Sequence, residues 1–62
     1  MYVEVFYFVD RVYAGRRAIH YDNPHEANLI YEKTIKKMQR NKNEALICLR
    51  DDNHELIKSF RT

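Results

Sequence analysis

The 62-residue sequence predicts a small α+β domain of ββαββ order, with a mainly antiparallel sheet and one amphipathic helix packed on one face. Three features carry that expectation. A run of β-branched and aromatic residues opens the chain, one stretch of helical periodicity occupies its middle, and two period-two stretches around a polar reversal follow. A chain this short forms a single domain over residues 1–62, and no repeat or linker divides it.

The first strand spans Tyr2 to Val9, where valines alternate with Tyr, Phe and one Glu, residues that fit a pleated, buried surface. A second strand is expected at about Arg16 to Tyr21, with Gly15, the only glycine, just before it where a turn or bulge calls for positive φ. The end of the first strand is left open by the sequence. Asp10-Arg11 can reverse the chain, or the strand can run on through Val12 and Tyr13 to a turn at Ala14-Gly15.

A helix is expected from Pro24 to Arg40. Asn23 suits the cap, Pro24 the first helical position, and Glu26 the third position of a capping box. At 100° per residue Ala27, Ile30, Tyr31, Thr34, Ile35 and Met38 share one arc, while Lys33, Lys36, Lys37 and Arg40 group on the other side. Asn41 or Asn43 is the expected left-handed residue at the helix end.

The stretches Glu44–Arg50 and Glu55–Arg61 read as a second hairpin closed at Asp52-Asn53. That turn would set Leu49 opposite Leu56 and Ala45 opposite Phe60. Ala45, Ile47, Leu49, Leu56 and Phe60 would then share a face, with Arg50 paired to Glu55 on the other.

The first strand is apolar on both sides. Val3, Val5, Tyr7 and Val9 point one way and Tyr2, Phe6 and Phe8 the other, with Leu46, Cys48 and Ile57 adding to the second side. One helix covers one face, so a second apolar face is either folded away internally or used in association. Tyr2, Phe6 and Phe8 are therefore expected to mediate self-association into a homodimer, through the sheet face or a strand edge.

The remaining chemistry is sparse. The basic helix side, Lys33, Lys36, Lys37 and Arg40 with Leu29 beside it, is a candidate contact surface for a protein partner or for phosphates. The net charge of +2, from 11 Lys plus Arg against 9 Asp plus Glu, is too mild to imply a polyanion by itself. His20, Asp22 and His25 are metal-ligand types, but nothing in a strand-to-helix junction makes them converge, and no metal or cofactor is expected. Residues 51–55 are acidic without the glycine and closing glutamate of a calcium loop. Cys48, the only cysteine, sits in an apolar strand as a buried thiol would, not as a nucleophile. With no phosphate loop and no nucleophile elbow, an enzyme is the least expected class.

No motif is specific enough to assign a family. No apolar run approaches membrane-spanning length and no basic-then-apolar leader is present, so the expected location is cytoplasmic. The functional expectation is a small non-enzymatic interaction or regulatory module, with nucleic-acid binding through the basic helix side as the alternative.

Overall fold

The computed structural model describes residues 1–62. The elements are β1 (Tyr2–Val9), β2 (Val12–His20), α1 (Pro24–Arg40), β3 (Glu44–Arg50) and β4 (Leu56–Arg61), the expected order. They form one sheet in the order β2-β1-β3-β4, with every neighbouring pair antiparallel. No helix is long and apolar enough to cross a membrane.

The chain reverses early, at Asp10-Arg11, where both residues have positive φ (50° and 67°). This is the twist a two-residue hairpin requires, supplied here without glycine. The second strand consequently begins at Val12, earlier than expected. Gly15 lies inside it, at a bulge: Tyr7 pairs with Gly15 but Phe8 with Tyr13, leaving Ala14 as the extra residue. The Arg11 amide donates to Oε1 of Glu44 at 2.9 Å, fastening the hairpin tip to the start of β3.

Helix α1 begins as the sequence requires. Asn23 Oδ1 accepts from the amides of His25 (2.9 Å) and Glu26 (3.4 Å), and Pro24 follows at the first helical position. The helix end corrects the expectation for Asn41 and Asn43. Asn41 is right-handed (φ −85°), and Lys42 takes the left-handed conformation (φ 55°). The Asn43 amide then donates to the Met38 carbonyl (2.9 Å) and the Lys42 amide to the Gln39 carbonyl (3.1 Å). This pair of bonds satisfies carbonyls that a helix end leaves free.

The core lies between α1 and the two inner strands. Val3 and Val5 of β1 pair across to Leu49 and Ile47 of β3, and with Ala45 they pack against Ala27, Tyr31 and Met38. Ile30, Ile35, Tyr7 and Tyr21 pack around its border. Only 10 of 62 residues are buried, so hydrophobic stabilisation rests on this one small cluster.

The β3–β4 register differs from the expected one. The connection is one residue longer than a two-residue turn: Asp51 pairs with Glu55, the His54 amide donates to the Asp51 carbonyl, and His54 is left-handed (φ 63°). A bulge follows at Ile57, so Arg50 pairs with Leu56 but Leu49 with Lys58. The two insertions set Phe60 opposite Ile47, not Ala45, and move Leu56 to the Arg50 side of the sheet. Lys58 takes the place expected for Leu56, its ammonium 4.9 Å from the centre of the Tyr31 ring.

Because Lys42 holds a conformation that glycine adopts freely, Lys42→Gly is expected to stabilise the fold by about 0.5–1 kcal/mol. The same replacement at exposed Lys36, inside α1, is expected to cost about 1 kcal/mol. Chemical denaturation of both variants checks the pair, and a Lys42→Gly chain that is less stable than wild type contradicts the left-handed cap.

Candidate functional site

The face of the sheet away from α1 has no second layer. Its central strand contributes Tyr2, Glu4, Phe6 and Phe8, which pair with His20, Ala18, Arg16 and Tyr13 of β2 and with Arg50, Cys48, Leu46 and Glu44 of β3. Despite that openness, Glu4 is only 5% exposed and Cys48 3%. Neighbouring side chains laid across the sheet do the covering.

Glu4 is the organising group. One carboxylate oxygen accepts from Nε of Arg16 on β2 and the other from Nε of Arg50 on β3, the second at 2.9 Å. The carboxylate thus ties both neighbours of β1 together across the middle of the sheet. Burial alone would push its pKa up, but the hydrogen bonds and charges of Arg50 and Arg16 outweigh burial and hold it below its ordinary value. Arg50 also donates through Nη1 to the His54 carbonyl at 3.0 Å, so the same guanidinium anchors the β3–β4 loop.

Aromatic rings flank the clamp. Tyr2 lies between His20 and His54, with ring centres 4.8 and 4.7 Å away. Tyr13 lies 6.5 Å from Phe6 and 6.2 Å from Phe8, and the Arg61 guanidinium stands 4.3 Å from the centre of Phe8. Tyr2, Phe6 and Phe8, the residues expected to self-associate, are consequently half-buried, while Tyr13 is 57% exposed. The structure brings these residues onto one continuous face with three arginines.

Cys48 is buried beside Glu4, and burial raises its thiol pKa against the opposing charge of Arg50, with a smaller push upward from Glu4. The thiol stays protonated near neutral pH and behaves as packing. His20 contacts Asp22 (3.5 Å) and Asp52 (3.1 Å) through its two ring nitrogens, whereas the His25 amide serves the Asn23 cap. The three spaced ligand types of the sequence do not converge, and no group of three or more His, Cys, Asp or Glu side chains is placed to hold a metal ion.

The other expected surface is a separate one. Lys33, Lys36, Lys37 and Arg40 are exposed along α1, and Leu29 is 46% exposed among them. None of these cations, nor Arg17 on β2, takes part in an ion pair within the chain. Between α1 and β2 a groove of about 200 Å³ runs over Val5, Tyr7, Ile19, Ile30 and Met38, with Arg17 and Lys37 at its walls. A larger, open cleft of about 480 Å³ at the far end of α1 has a single apolar side chain, Phe60, among its lining residues.

Sequence reasoning missed the Glu4 clamp and the groove. The signal for the first was present: Glu4 is the one charge inside an apolar strand, and a buried carboxylate demands cations. Its partners lie 12 and 46 residues away, so only strand order identifies them.

Since Glu4 loses its proton more readily folded than unfolded, the clamp's stabilisation is complete above the ordinary value of 4.5 and is lost as pH falls through the lower folded value. Glu4→Gln is expected to cost about 1–3 kcal/mol at neutral pH and to flatten the loss of stability on acidification. Thermal melts of both chains between neutral and acid pH check this; an unchanged acid dependence in the variant removes Glu4 as its source. Compared with protein-family models, curated proteins and solved structures, the chain matches no family model, no curated protein and no solved structure.

Proposed function

We propose that the protein is a small non-enzymatic interaction module that works as a homodimer joined through the uncovered sheet face. The single observation that carries this reading is that face itself. Tyr2, Phe6, Phe8 and Tyr13 share it with Arg16, Arg50 and Arg61, and no element of the chain lies over it. Aromatic residues and arginine are the types enriched at the centres of protein interfaces, because they bring large contact area with little conformational freedom to lose.

Charge is compatible with that use. Glu4 neutralises part of the Arg16 and Arg50 charge, and Glu44 lies 4.0 Å from Arg61, so two copies can approach without facing bare like charges. Energetics favour association as well. A domain with 10 buried residues gains proportionately more from covering a second face than a larger protein would. Packing face to face against a second sheet, about 10 Å away, would lay apolar and aromatic surface over a carboxylate that already has both of its cations in place.

In this reading α1 stays outside the dimer, and its cations remain available to a further partner. Catalysis has little support, because burial raises the pKa of the one thiol and the larger concavity is open, with a single apolar side chain among its lining residues.

Light scattering after gel filtration is expected to give about twice the 7.6 kDa chain mass for wild type. Phe6→Glu and Tyr13→Glu are expected to give the chain mass, the second at a position exposed enough to leave folding intact. A wild-type monomer at tens of micromolar, or a dimer that survives both substitutions, overturns assembly through this face.

A further inference from the structure

Strand β2 is the outer strand on its side of the sheet, bonded to β1 alone, so one row of its amides and carbonyls has no strand partner. From Arg16 to His20, beyond the bulge, it pairs with β1 in unbroken register, the regular pairing that lets an edge template another strand. The opposite edge is a poorer template. Strand β4 is shorter, is bulged at Ile57, and its Lys58 is already engaged with Tyr31 and Glu32.

The groove between α1 and β2 lies on the helix side of this strand, which lines it with Arg17 and Ile19. Helix α1 packs over β1 and β3, which leaves the helix-side residues of β2 partly uncovered; Ile19 is 38% exposed. Alternate side chains of a strand added outside β2 would point to that side of the sheet. There the helix-side residues of β2 are Arg17 and Ile19, with Lys37 of α1 lining the same groove, and neither cation has an acidic partner in the chain.

We propose that the β2 edge and the adjoining groove bind an extended acidic segment of another protein by strand addition. Main-chain bonds to Arg16–His20 supply the attachment, and carboxylates placed against Arg17 and Lys37 supply the choice of partner. Charge decides against the competing occupant. Two β2 edges pairing antiparallel about Arg17 would set the Arg17 side chains of the two copies directly opposite, and pairing about Ala18 would set them on the diagonal, whereas an acidic strand neutralises them. The inference rests on the interaction-module reading but not on the dimer, which uses a different surface.

The test is fluorescence polarisation with a labelled peptide of about eight residues alternating glutamate with valine. The acidic peptide is expected to bind, a lysine–valine peptide of the same length is not, and Arg17→Glu combined with Lys37→Glu is expected to weaken binding about tenfold or more. N-methylation of one alternate set of peptide amides is expected to abolish binding and of the other set to spare it, because an added strand bonds through one edge only. The methylation comparison uses the unaltered protein and stands even if the double variant loses stability. Equal tolerance of both methylated sets, equal binding of the lysine peptide, or competition by a single-stranded oligonucleotide as effective as by the acidic peptide overturns the proposal, the last in favour of a general polyanion surface. No binding at about millimolar peptide overturns it as well. The dimer is judged separately by mass, so a monomer that binds the peptide and a dimer that does not are distinct results.

Discussion

A single helix packed on a four-stranded sheet sets the terms for everything else in this protein. With its side chains an α-helix is about 10–12 Å across, while strands repeat every 4.7–4.9 Å, so one helix shields roughly two strands. Those two are β1 and β3, and they supply Val3, Val5, Ala45, Ile47 and Leu49 to the core against Ala27, Tyr31 and Met38. The outer strands receive only partial cover. The groove beside β2, the exposed Phe60 on β4 and the bare second face all follow from that one shortage of covering surface.

The second face shows how a thin domain copes with a missing layer. A carboxylate in the centre of a sheet would be costly unless matched by cations, and Arg16 and Arg50 reach it from both sides. Their stems cover the strand beneath while their guanidinium groups stay partly in water. Surface pairs are usually weak, but here the acceptor is buried and shared by two donors on different strands. The clamp therefore joins β1 to both of its neighbouring strands through one side chain. An interface laid over it meets an already paired charge and a set of rings held by neighbours, which lowers the cost of ordering them on association.

Local features were legible to the extent that their causes are local. Asn23 and Pro24 start the helix because a side-chain acceptor and a missing amide act within one turn, and the apolar arc of α1 follows from its 3.6-residue period. The helix end was misplaced because three polar residues in succession, Asn41, Lys42 and Asn43, each tolerate several conformations, and the bonds to Gln39 and Met38 select Lys42. The β3–β4 register failed for a similar reason. A left-handed His54 and a bulge at Ile57 each insert a residue, and a histidine or an isoleucine does not announce such a conformation.

The sequence by itself determined the element types, the order ββαββ, the helix start and the fact that β1 is apolar on both sides, because each depends on propensities and periods read over neighbouring residues. Tertiary structure alone decided that β1 lies between β2 and β3, and with it the meeting of Glu4 with Arg16 and Arg50, the gathering of Tyr2, Phe6 and Phe8 beside arginines, and the free edge of β2 with a groove on its helix side. Those arrangements join residues far apart in the chain. Pairing partners are chosen by the shared burial of Val3, Val5, Ile47 and Leu49 under α1, a global balance that no local pattern encodes.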